Sequence, residues 1–168
     1  TNDELKAKVT ATSKVENVDG ADKISKVEPK VQVSTAAYGE TNIEATVTFK
    51  DGTTKEVTIP LKVKDVTPPT ITAPEENKNW EITALDKTLP AMKIKAEDNA
   101  NGSGISMIEV RNLPEFLTFD ESTGTIVFKE GVQEVPKIKS DNTMHGVTII
   151  ARDRAGNSTS ILVNITVW

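Results

Sequence analysis

The chain has 168 residues, with 20 Lys and Arg against 25 Asp and Glu, one His and no Cys. The missing thiols exclude a disulfide framework, thiolate metal sites and a Cys nucleophile, and the lone His145 excludes a multi-histidine metal site. A net charge of −5 with the two signs interspersed argues against a nucleic-acid surface, and no apolar run nears the length of about 18 residues that spans a membrane.

The residue balance predicts an all-β chain. There are 22 Thr, 17 Val and 14 Ile against only 7 Leu. β-branched side chains lose χ1 freedom in helices and pack well on a pleated sheet. No secretory signal opens the sequence, so we expect a piece of a longer protein.

Residues 3–18 are ambiguous. Leu5, Val9, Val15 and Val18 fit a helix about as well as a strand, and the Thr-Ala-Thr-Ser run at 10–13 favours strand. Val27, Val31 and Val33 suggest a further strand, with Pro29 arguing for an edge. The strongest local signal follows. Ile43, Ala45, Val47 and Phe49 alternate, Asp51-Gly52-Thr53-Thr54 intervenes, and Val57, Ile59, Leu61 and Val63 alternate again. This is a β-hairpin with one buried face. Pro60 lacks an N–H, so its strand should lie at an edge or turn that position away from a partner.

Asp65-Val66-Thr67-Pro68-Pro69 marks a domain boundary, because consecutive prolines fix φ and keep the segment extended and stiff. We expect one domain over 1–66 and a second over 67–168. The second shows short strands between turn signals: Thr70–Thr72, Met92–Ala96, Ile105–Val110, Thr125–Phe128, Val147–Ala151 and Ser160–Trp168. About seven short strands in such a length is the count of an immunoglobulin-like sandwich, here without its disulfide. The second part is the more acidic, with 14 acids and 10 bases against 11 and 10 in residues 1–66.

Several stretches resemble a known family. The hairpin from Ala45 to Val63 looks like the closing strands of Rib-like and small β-grasp modules of Gram-positive surface proteins. Asp65-Val66-Thr67-Pro68-Pro69-Thr70-Ile71 is similar to the joint that opens the next module there. Asn112 to Asp120 followed by Ser122-Thr123-Gly124-Thr125-Ile126 resembles the LP.GLTFD..TGTI stretch of bacterial Ig-like and cadherin-like domains. Ala151 to Ser158 resembles their A.D.AGN strand end. The order of modules is that of the ligand-binding region of staphylococcal serine-rich-repeat adhesins. The resemblance implies a cell-wall-anchored, extracellular, non-enzymatic and monomeric module associated with virulence. It implies a stalk that projects a ligand-binding domain and contacts adjacent domains of the same surface protein. The alternative is direct binding of a host glycan or glycoprotein. Streptococcal relatives bind sialylated glycans through a Thr-Arg motif, and the matching stretch Met144–Ile150 has no Arg at that position.

The candidate metal loop is Asp98-Asn99-Ala100-Asn101-Gly102-Ser103-Gly104. Ca²⁺ takes six to eight oxygens on a backbone that glycines allow to curl. Asp98, Asn99 and Asn101 supply oxygens, with Glu97 adjacent. Asp153 and Asn157 join them if the strand ends are neighbours, as the resemblance implies. The competing reading is an Asx/Gly turn, and the spacing is not that of an EF-hand. Asp65 is a secondary ligand candidate, otherwise a solvated linker acid. His145 reads as a strand-end residue, since no nucleophile and orienting carboxylate are selected with it. Glu115, Asp120 and Glu121 could imitate a glycosidase pair but read as loop charges. Trp80 and Tyr38 are the aromatics that could stack on a sugar, against a packing role for each. Trp168 is expected to cap the last strand or contact a following domain. Asn101, Asn157 and Asn164 lie in Asn-x-Ser/Thr sequons, which carry little meaning in a bacterial protein.

Overall fold

A computed structural model of the protein describes residues 24–137 and 143–168. The ambiguous segment 3–18 lies outside the described residues. The chain divides into two compact units, Thr1–Lys64 and Asp65–Trp168. Asp65 and Val66 belong to the second of these units.

The described part of the first unit is an antiparallel sheet of β1 (Ile24–Pro29), β2 (Gly39–Phe49) and β3 (Thr54–Val63), with β2 in the middle. The β2–β3 hairpin is local and self-consistent. Ile43 pairs with Ile59, Ala45 with Val57 and Val47 with Lys55. At its turn the Phe49 amide donates to the Thr53 carbonyl and the Gly52 amide to the Phe49 carbonyl. Gly52 takes φ 87°, the left-handed conformation that glycine adopts without a Cβ penalty. Asp51 Oδ1 accepts from the Thr53 amide at 2.9 Å and from its hydroxyl at 2.6 Å, which fixes the turn from the side-chain side.

Ile24, Val27, Ile43, Ala45, Val47 and Ile59 are buried together, with Val33, Phe49, Val57 and Leu61 packed at their margin. Among the described residues Pro29 and Pro60 lie on the two outer strands of this sheet, Pro29 at the end of β1 and Pro60 within β3, where a missing N–H is tolerated. The strand expected through Val33 stops earlier. Pro29 closes β1, one more bond runs from the Lys30 amide to the Glu44 carbonyl, and Val31 is left 68% exposed.

The second unit holds eight strands: β4 (Thr70–Ala73), β5 (Asn79–Ile82), β6 (Lys95–Glu97), β7 (Ile105–Arg111), β8 (Leu117–Asp120), β9 (Thr125–Phe128), β10 (Thr143–Asp153) and β11 (Ser158–Val167). One layer is the sheet β5-β11-β10-β7, antiparallel except where β5 runs parallel to β11. The pairs β4-β6 and β8-β9 make the other layer. They are joined at Lys93↔Thr125 and by bonds from the Ile94 amide to the Gly124 carbonyl and from the Ile126 amide to the Met92 carbonyl.

The core fills the space between the layers. Val147, Ile149, Val163, Ile165 and Val167 face Met92, Ile94, Leu117, Ile126 and Val135, all fully or nearly fully buried. Alternation along β10 and β11 is what a sandwich requires, since every second side chain points inward. The protein is all-β over its described residues, with an Ig-like two-layer sandwich as its second unit.

Candidate metal centre

Three separate segments of the second unit bring carboxylates to one place. Asp65 is its first residue, Asp98 follows β6, and Asp153 ends β10. One oxygen from each lies within 4.8 Å of the other two. Asp153 is buried, while Asp65 and Asp98 are half-buried.

Backbone amides hold each carboxylate. Asp153 Oδ1 accepts from the Asn157 amide at 2.8 Å and Oδ2 from Asn157 Nδ2 at 2.7 Å, across a tight turn in which Gly156 takes φ 95°. Asn157 Nδ2 also donates to the Asp65 carbonyl at 3.1 Å. The 98–104 loop curls around Asp98, whose Oδ1 accepts from the Asn99 amide and Oδ2 from the Gly104 amide. Asp65 Oδ2 accepts from the Ser103 amide at 2.8 Å and Oδ1 from the Thr67 amide at 3.1 Å. The Ser103 and Thr67 amides hold the Asp65 carboxyl below the ordinary carboxylate range, because they bond only to its charged form with full strength.

The donor set is oxygen throughout, with no thiolate or imidazole, which suits a hard cation and disfavours zinc or copper. Over Gly102 a further oxygen converges. A Cβ there would lie 2.7 Å from Asp98 Oδ2 and 2.8 Å from Asn99 Oδ1. The glycine therefore leaves room for a carboxylate and an amide oxygen to close over the backbone. The carboxylates of Asp65, Asp98 and Asp153 are the kind of oxygen donors Ca²⁺ takes.

The structure brings Asp98 and Asp153 close together and puts Asp65 beside them. Asn157 lies at the cluster but turns its amide nitrogen toward it, clamping Asp153 and Asp65. Asn101 is exposed at the loop tip with φ 61°, and Glu97 is exposed on β6. Sequence reasoning missed Ser103 and Arg154. Ser103 is buried at 6% exposure and its hydroxyl accepts from the Ala155 amide. Arg154 Nη1 donates to the Ser103 carbonyl at 3.2 Å, and its amide donates to the Gly104 carbonyl. A serine between two glycines carries no signal in one dimension for that role.

The other candidates are dispersed. Trp80 is buried in the core at 6% exposure because β5 turns it inward, which removes it as a sugar-stacking residue. Tyr38 remains exposed at 44% and Trp168 at 52%. His145 is half-buried opposite Ile165 on β11. Asp120 caps its own turn, accepting from the Ser122 and Thr123 hydroxyls, which hold its carboxyl low, while Glu115 and Glu121 are exposed.

Residues 66–168 match the family model described as "Putative Ig domain" (He_PIG), about three fifths of the chain. The chain belongs to this Ig family. No curated protein matches it. Among solved structures, the Ig chain is similar to human CDH23 EC21-23, at 16% identity and a TM-score of 0.46, covering 77% of this chain and 43% of that one. It is similar to Drosophila N-cadherin EC1-3 at 14% identity and 0.44, covering 79% and 44%. It is also similar to a protocadherin gammaB7 EC3-6 cis-dimer structure at 17% and 0.46, covering 89% and 40%. The chain spans less than half the length of each of these cadherin chains.

Proposed function

We propose that the protein is a non-enzymatic, Ca²⁺-stiffened stalk segment of a Gram-positive cell-wall-anchored adhesin, working outside the cell to project a ligand-binding domain toward the host. The observation that carries the reading is the convergence of Asp65, Asp98 and Asp153 from segments far apart in the chain. Three like charges this close repel one another, and a divalent cation relieves that repulsion. Asp65 stands where the chain enters the Ig-like unit, so a cation held there fixes the entry segment as well as the two loops. Further along that segment, the Pro69 carbonyl accepts from the Thr159 hydroxyl at 2.5 Å.

The same reading takes the first unit as a β-grasp or Rib-like domain and the two units as separate domains. Support for the first comes from the hairpin motif and the antiparallel sheet, and for the second from two distinct buried clusters. No substrate chemistry is assigned. The carboxylates of the cluster are engaged by backbone amides of the surrounding loops.

Thermal unfolding with and without chelator tests the proposal. Free Ca²⁺ at about ten to a hundred times its Kd stabilises by roughly 1–3 kcal/mol. For a domain of this size, EDTA should therefore lower the melting temperature of the Ig-like unit by roughly 5–15 °C. Asp98→Ala should melt at the chelated temperature whether or not Ca²⁺ is present. Identical melting of the native chain in Ca²⁺ and in EDTA would reduce the cluster to a turn network and remove the stiffening role.

A further inference from the structure

Most end strands of this protein carry a feature that discourages pairing with another chain. β1 carries Lys26 and ends at Pro29, while β3 carries Pro60, Lys55 and Lys62. β4, β5 and β8 are four residues each. Proline, lysine and brevity are the usual means of blunting a sheet edge.

β7 has no Pro, Lys or Gly, is seven residues long and ends the four-stranded sheet; its bulge falls at Ser106, and Met107 to Arg111 run regularly beyond it. Among the described residues it pairs with β10 only, in regular register from Met107 to Arg111. β8, the neighbouring end strand of the other layer, pairs only with β9 among the described residues. Between them lies a cleft of about 270 Å³ lined by Met107, Val110, Leu113, Phe119 and others. The alternate N–H and C=O groups of β7 that do not face β10 make no backbone hydrogen bond to another described strand.

We propose that this edge pairs with the same edge of a second copy of the chain. The charge pattern of β7 selects that occupant. Glu109 and Arg111 lie on one face, two residues apart, and pair with each other at 2.6 and 3.0 Å. Their side chains are 31% and 53% exposed, so both can be shared with a neighbour. Two β7 strands running antiparallel about Val110 set each Glu109 opposite the other copy's Arg111. The four charges then alternate in sign around a central Val110–Val110 contact. Centring on Glu109 instead would oppose like charges. The two four-stranded sheets become one eight-stranded sheet with a two-fold axis, a self-complementary interface of the isologous kind. The contact is short, so the association is weak and suits copies crowded on one surface. It does not depend on the calcium reading.

Sedimentation equilibrium of the whole chain, from about 10 µM to about 1 mM, is the test. The expected result is a concentration-dependent shift from the monomer mass of 18.2 kDa toward twice that. Arg111→Glu alone and Glu109→Arg alone each place like charges opposite one another, and should weaken the dimer about tenfold or more. Combining Glu109→Arg with Arg111→Glu in one chain restores alternation and should restore dimerisation. Mixing the two single variants should give a heterodimer. Both positions are at least partly exposed, and circular dichroism checks that the variants fold. A native chain that stays monomeric throughout overturns the proposal, as does a single variant that dimerises as tightly as the native chain. Dimerisation that the double variant fails to recover also overturns it, since the contact then lies elsewhere.

Discussion

Gly102 shows how a residue with no side chain can decide the properties of a charged site. Its missing Cβ leaves the space into which Asp98 Oδ2 and Asn99 Oδ1 lean. Asp98 cannot swing aside freely, because the same Oδ2 accepts from the Gly104 amide. Gly102→Ala should therefore cost about 1–3 kcal/mol by overpacking and displace Asp98 from the cluster. Calcium titration of this variant should show affinity reduced by tenfold or so, while far-UV circular dichroism is unchanged. Asp65 makes a pH prediction. Its carboxyl is held low by the Ser103 and Thr67 amides, so its stabilisation is complete above the ordinary carboxylate pKa of about 4 and is lost as pH falls through the depressed value. Asp65→Asn should flatten the acid limb of the stability profile below that pH and leave the neutral-to-basic part parallel to the native curve. Equal acid limbs in the two proteins would show that the Asp65 charge does not matter to folding. At this scale the sequence displayed Asp98 and Asp153 through their Gly-rich and Asp–Asn turns. It displayed Asp65 only faintly, because a linker acid is commonplace and its partner Ser103 lies 38 residues away.

Among the elements, the β2–β3 hairpin was the most legible. Its pairing is local, its two arms alternate with period two, and Asp51-Gly52 supplies the turn, so one stretch of chain contains all the information. Ile43 and Ile59 face each other across it, both 5% exposed. Ile59→Ala should destabilise the first unit by about 2–5 kcal/mol, read as loss of amide-exchange protection over residues 39–63. The expected penalty at Phe49 is smaller, because that side chain is only partly buried at the strand end. Less legible were elements whose partners are distant. The parallel pairing of β5 with β11 joins residues more than 80 positions apart, and Trp80 becomes a core residue only through it. β6 was expected to begin at Met92, but the regular strand is Lys95–Glu97. Met92 and Ile94 are nevertheless buried, bonding across to β9. The early end of β1 at Pro29 is a proline effect that the valine spacing concealed.

For the whole molecule, the two buried clusters support the proposal of two domains with independent stability. Ile59→Ala should then leave exchange protection over residues 70–167 unchanged, and a parallel loss there would indicate one cooperative core instead. The Ig assignment of residues 66–168 was legible because strand spacing and turn motifs recur along that stretch. The carboxylate cluster was legible only in part, since a group gathered from residues 65, 98 and 153 exists only once the sandwich has folded. The most direct measurement of the central claim is calorimetric titration of Ca²⁺ into chelator-stripped protein, with Mg²⁺ as control. The account predicts saturable Ca²⁺ binding at about millimolar to sub-millimolar Kd, with Mg²⁺ a poor substitute because it demands a tighter octahedral shell. Binding should disappear in both Asp98→Ala and Asp153→Ala. Absence of saturable heat in the native chain, or undiminished binding in those two variants, would contradict it.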